Sequence, residues 1–213
     1  MEHPYFIKFD EKGAPFVFPP LLAKWTREHL DYIFVRDNGR QALLIYVYED
    51  GCYQLYAPDM LRGVMKSYIA EYDEELVSMG KVAEAYNQII TDLKYVGQDD
   101  LNSIEGLINF SNGLLRIRED EMTLLPHSPD ILSTIQIPCG WTGQQIPTPV
   151  FDRYMHTLTN GDKAIEQLLL EFIGACISNI KGWRMKKALF LVGDGDTGKS
   201  QLKSLVERLL GRE

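Results

Sequence analysis

The sequence predicts an α+β fold of mixed helices and small antiparallel sheets, ending in the first strand, loop and helix of a P-loop domain. Three observations carry this expectation. Aromatic and β-branched runs bounded by turn residues fill much of the first sixty positions and residues 108–125, whereas apolar residues recur at helical spacing over 60–93 and 165–180. The segment Gly193-Asp194-Gly195-Asp196-Thr197-Gly198-Lys199-Ser200 lies between an apolar run and a helical pattern. The composition, 45% hydrophobic and 24% charged over 213 residues, is that of a globular rather than a disordered chain.

Taken in order, residues 5–9 and 16–18 flank Asp10-Glu11-Lys12-Gly13 and predict a hairpin. Pro19-Pro20 opens a short helix over 21–30. Strands follow at 32–36 and 42–48, separated by Asp37-Asn38-Gly39-Arg40, and at 52–56 after the turn Glu49-Asp50-Gly51. Helix, hairpin and helix in this order suggest a winged-helix-like module, for which DNA contact and an assembly role are equally open. Residues 60–70 predict a helix with Leu61, Val64, Met65 and Ile69 on one face, and 79–93 another; the acidic run 71–75 between them reads as a solvated loop. Residues 103–107 predict a short helical turn. Strands return at 108–125, with Asn112-Gly113 and Glu119-Asp120-Glu121 as the reversals. Five of the ten prolines fall from Pro126 to Pro149, so that stretch is expected to be irregular and ordered by packing. Ile165, Leu168, Leu169, Phe172, Ile173, Cys176 and Ile180 then form a wide apolar stripe expected to pack into a core.

Residues 188–192, Ala-Leu-Phe-Leu-Val, read as a buried strand. After the loop, Leu202, Leu205, Val206, Leu209 and Leu210 recur at helical spacing, with Gly211 as the stop. Strand, glycine-rich turn and helix are the surroundings a phosphate-binding loop requires. Glycines let successive backbone N–H groups converge on phosphate oxygens, and the helix N-terminus adds partial positive charge. The candidate nucleotide-binding residues are therefore Gly193, Asp194, Gly195, Asp196, Thr197, Gly198, Lys199 and Ser200. Lys199 is expected on the β- and γ-phosphates and the Ser200 hydroxyl on Mg²⁺, making ATP and Mg the expected cofactors. Asp194 and Asp196 read as loop residues, since a carboxylate aimed at a triphosphate would repel it. Hydrolysis also requires an acidic residue on a later strand and often an arginine from a neighbouring subunit. Only residues 201–213 follow the loop, so no complete catalytic set is expected in this chain, which reads as a fragment of a longer protein.

The charge is uneven: 14 Lys/Arg against 26 Asp/Glu through residue 180, and 8 against 4 after it. Lys181, Trp183, Arg184, Lys186 and Lys187 would suit a DNA backbone or a solvated linker equally well. Cys52, Cys139 and Cys176 are widely separated and read as reduced thiols without metal-ligand spacing. No apolar run approaches a membrane span and no signal-peptide pattern is present, so a cytoplasmic location is expected, in a bacterial host or an infected cell. Three parts are expected: 1–105, a mixed module; 106–180, a linking region; and 181–213, the start of the P-loop domain.

The succession Ile108-Asn-Phe-Ser-Asn-Gly-Leu-Leu-Arg-Ile117, Leu125-Pro-His-Ser-Pro129 and Ile135-Gln-Ile-Pro138, followed by the long helix and the loop, resembles the phage/plasmid primase-helicase family. That family includes the poxvirus primase-helicase. The resemblance implies the helicase-associated region and the start of an AAA+-like superfamily 3 motor. It also implies an ATP-dependent replicative DNA helicase of a virus or mobile element, ring-shaped and usually hexameric, with a primase domain or partner upstream and DNA as substrate. Gly193, Gly195, Gly198, Lys199 and Ser200 match the family's phosphate loop, whereas Thr197 replaces a common asparagine and Gln201 stands where Thr is usual. His127 lies in a matching segment, but a lone histidine between prolines reads as a hydrogen-bonded loop residue. Two other readings stay open: an oligomerisation or DNA-binding module whose loop does not bind nucleotide, and a small nucleotide kinase.

Overall fold

Residues 3–37, 42–92, 95–119, 121–178, 186–195 and 197–211 are described by the computed structural model, and they fall into two units. The first comprises Met1–Glu49 and Tyr53–Leu101, the second Asp50–Cys52 and Asn102–Glu213.

The first unit begins with a hairpin of β1 (Ile7–Phe9) and β2 (Pro15–Val17). Its turn is closed by the Asp10 carboxylate, which accepts from the backbone N–H groups of Lys12 and Ala14 at 2.8 Å each. Helix α1 (Pro19–His29) starts on two prolines, whose missing N–H groups would have no helical partner in the first turn anyway. A sheet follows with β3 (Tyr32–Asp37), β4 (Ala42–Glu49), β5 (Cys52–Tyr56) and β6 (Tyr95–Val96) in the order β5-β4-β3-β6. The pairing of β3 with β6 is parallel, unlike the antiparallel arrangement expected. The cause is topological: β4 already occupies one edge of β3, and the chain returns through two helices to the other, a crossover that aligns the strands. Helices α2 (Pro58–Ala70) and α3 (Met79–Ile90) supply that crossover.

Helical periodicity builds the core directly. Leu61, Met65 and Ile69 of α2 are buried at i, i+4 and i+8; Val82, Ala85, Tyr86 and Ile89 of α3 at i, i+3, i+4 and i+7. They pack with Phe6, Leu22, Ala23, Phe34, Ile45 and Val47 in one cluster. The Arg27 guanidinium of α1 forks onto Asp92, just beyond α3, at 2.6 and 3.0 Å, and the Tyr32 hydroxyl donates to the same carboxylate at 3.0 Å.

In the second unit β7 (Leu107–Phe110), β8 (Gly113–Arg118) and β9 (Glu121–Leu125) form an antiparallel meander. The helical turn expected at 103–107 does not form. Gly106 takes φ +68° and its carbonyl accepts from Ile117 N–H at 2.7 Å, which commits the chain to β7 instead. Residues 126–148 contain neither helix nor strand, and an isolated bridge joins Phe110 to Ile137. Helix α4 (Pro149–Leu158) has no counterpart among the expected elements, because its opening lies among prolines. Its spacing nevertheless announces it: Phe151, Tyr154, Met155 and Leu158 stand at i, i+3, i+4 and i+7.

Helix α5 (Lys163–Ile177) is capped by Asp162, whose carboxylate accepts from Ala164 and Ile165 N–H groups. The apolar stripe of this helix is only partly interior. Leu169 and Ile173 are buried with Met155 and with Leu202 of α6 (Lys199–Leu209), whereas Ile165 and Leu168 are exposed; Ile180 lies outside the described residues.

The strand expected at 188–192 is likewise absent. Among the described residues no strand pairs with this run, and unpaired extended backbone is not a sheet element. Leu189 touches the α4–α6 core, while Phe190 and Val192 are 83% and 94% exposed.

Candidate nucleotide-binding site

The loop enters α6 through Gly198, which adopts a left-handed conformation at φ +87° and serves as the N-cap. A side chain here would be strained by that φ, and its Cβ would stand 3.2 Å from Tyr154 Cε2. The Gly198 carbonyl accepts the first helical bonds, from Gln201 and Leu202 N–H, and also accepts from the Tyr154 hydroxyl at 2.9 Å. Burial pushes the Tyr154 phenol above its ordinary pKa. Lys199 and Ser200 occupy the first two helical positions, where backbone N–H groups point out of the helix end.

The Lys199 ammonium is turned back into the loop. Its Nζ donates to Gly193 O at 3.1 Å, to Asp194 O at 2.5 Å and to Thr197 Oγ1 at 2.7 Å, while Thr197 Oγ1 donates to Asp194 O at 3.1 Å. Asp194 therefore enters this network through its backbone carbonyl. Gly193, Asp194, Gly195, Thr197 and Ser200 are exposed, and Asp196 lies outside the described residues. The arrangement juxtaposes a cation, a glycine-permitted turn and a helix N-terminus, three elements that favour an anion. No cluster of three or more His, Cys, Asp or Glu side chains suited to a metal occurs among the described residues.

Residues 23–160, more than half of the chain, match the family model described as D5 N terminal like. The chain belongs to that family. The match supports the phage/plasmid primase-helicase family and makes this a replication protein of the primase-helicase type, a class associated with DNA interaction and oligomerisation. No curated protein matches the chain. The family match ends before residues 193–200, so the reading of that segment rests on those residues themselves.

Within the D5 N-terminal-like region, His127 has a structural place. Its Nε2 lies 2.8 Å from Phe110 O and 3.1 Å from Asn109 Oδ1, a geometry served by one N–H shared between two acceptors. Buried Asn109 in turn donates to Gly51 O at 2.8 Å and to Ser133 Oγ at 3.2 Å. Gly51, at φ +84°, lies so close to the imidazole that a Cβ would fall 2.5 Å from its Cγ and Nδ1. This network joins residues up to 82 positions apart, and neither Asn109 nor Gly51 stands out beyond its local turn or strand.

Of the basic residues before the loop, Lys186 and Lys187 are exposed; Lys181, Trp183 and Arg184 lie outside the described residues. No helix among the described residues is long and apolar enough to cross a membrane.

Proposed function

We propose that this chain is the helicase-associated part, with the start of the motor, of an ATP-dependent replicative DNA helicase of superfamily 3. In this reading 1–105 is the amino-terminal module, 106–180 the linking region and 181–213 the beginning of the motor. The observation that carries the reading is the Lys199 ammonium folded into a loop whose last glycine, Gly198, caps α6 in a left-handed conformation. Bound nucleotide would exchange carbonyl acceptors for more strongly charged phosphate oxygens. Lys199 would then move from Gly193, Asp194 and Thr197 to the β- and γ-phosphates, with the N–H groups of the loop and of α6 around them. The Ser200 hydroxyl would face Mg²⁺, which supplies charge neutralisation between the phosphates. A ring, hexameric by family resemblance, with DNA as substrate, a primase domain or partner and a cytoplasmic setting, completes the proposal.

Titration of Mg-ATP into the chain tests it. Binding heat is expected for the wild type and loss of at least tenfold in affinity for Lys199→Ala, on the order of a charge-assisted phosphate contact. Equal signals from both proteins would instead favour an assembly or DNA-binding module whose loop does not take nucleotide. Two observations favour that second reading: the run before the loop forms no strand, and Lys199 already has oxygen partners.

A further inference from the structure

Beside the phosphate loop, α4 and α6 enclose an open groove of about 620 Å³, within the range of small-molecule sites. One wall carries Phe151 and Tyr154, whose ring centroids are 6.5 Å apart at 40°. The other carries Gln201, Ser204, Leu205 and Arg208. These four stand at i, i+3, i+4 and i+7, so they share one face of α6, and that face begins one residue after Ser200. The adjoining side of the helix, with Leu202, Val206 and Leu209, is spent on the core, against which Leu205 also packs. The groove is also joined to the loop itself, because the Tyr154 hydroxyl is bonded to Gly198 O.

We infer that this groove is the base subsite of the nucleotide whose phosphates the loop receives. The inference rests on the loop reading above and specifies where the rest of the ligand goes. The aromatic wall suits the face of a heterocyclic base, and an amide, a hydroxyl and a guanidinium on the facing helix supply donors and acceptors for its edge. A ligand lacking a base has no use for such a surface, so nucleotides should bind more tightly than the bare polyphosphate.

The test compares Mg-ATP with Mg-tripolyphosphate by calorimetry on the full chain. Phe151→Ala removes one wall; Ser204→Trp fills the groove from a half-buried position facing open space, which spares the packed core. The expected result is a fall of about tenfold in ATP affinity for Phe151→Ala, as loss of an aromatic platform gives. ATP affinity should fall in Ser204→Trp to that of tripolyphosphate, with tripolyphosphate binding unchanged in both variants. Unchanged ATP affinity in Ser204→Trp overturns the base subsite, as does a parallel loss of both ligands or a wild type that binds ATP no better than tripolyphosphate. The loop reading fails separately, if Lys199→Ala leaves tripolyphosphate affinity intact. A wild type that binds neither ligand overturns both.

Discussion

Gly51 and His127 show how one residue can be fixed by another far along the chain. The imidazole occupies the space that a Cβ at position 51 would need, and its bonds to Phe110 O and Asn109 Oδ1 hold it there. Gly51→Ala adds both a steric conflict and an unfavourable φ, so it should destabilise the second unit by about 1–3 kcal/mol. Removing the ring leaves Asn109 Oδ1 and Phe110 O without that donor, and His127→Ala should cost a similar amount, about 1–3 kcal/mol. Denaturant unfolding checks both. Neither variant touches Lys199, so both should retain full tripolyphosphate binding at temperatures where they are folded; selective loss of ligand binding in folded His127→Ala would give the histidine a role beyond this network. The histidine was legible as a loop residue from its flanking prolines, but its partners were not, since Gly51 precedes it by 76 positions. The motif at residues 193–200 needs no distant partner to be read, since eight consecutive residues carry it.

At the scale of elements, legibility followed the same division between local and distant causes. Helices α1 to α3 follow from apolar spacing and from proline at the start of α1 and α2, which are properties of a few adjacent turns. Strand β6 is two residues long and exists only because β3 lies beside it, and the run 188–192 has strand composition but no such neighbour. Side-chain ties then secure the elements of the first unit. Tyr5 donates to Glu28 near the end of α1, and Tyr56 on β5 donates to Glu49 on β4. Desolvation, followed by the glutamate hydrogen bond, pushes both phenols from 10.0 up to about 12. The folded state therefore favours the protonated phenols. Their contribution is fully present below pH 10, the unfolded value, and is lost as pH rises through about 12. Thermal melts between those values should show the first unit weakening, and the double variant Tyr5→Phe/Tyr56→Phe should weaken less over the same interval. An identical decline in wild type and variant would show that these phenols do not set the pH response.

For the whole molecule, several large apolar side chains lie exposed among the described residues of the second unit. Leu168 is 53% exposed on α5, and Phe190 and Val192 are more exposed still, although their sequence pattern is that of buried segments. Such surface is costly in water, at roughly 25 cal/mol for each Å² left uncovered. Membership of an oligomer-forming family makes a second copy of the chain the occupant to test. Association through these side chains should strengthen or hold steady as salt rises, because it is driven by apolar burial. DNA attraction through exposed Lys186 and Lys187 should instead weaken steeply, because it depends on counterion release. Sedimentation at two ionic strengths separates the two. The wild type is expected to self-associate at both, and Leu168→Ser/Phe190→Ser to shift it toward monomer by at least fivefold in dissociation constant, about 1 kcal/mol of lost apolar burial. Both substitutions fall on exposed positions, so denaturant unfolding should change by no more than about 0.5 kcal/mol. A wild type that remains monomeric at every concentration, or a variant that associates as tightly, would rule out these side chains as the contact between copies.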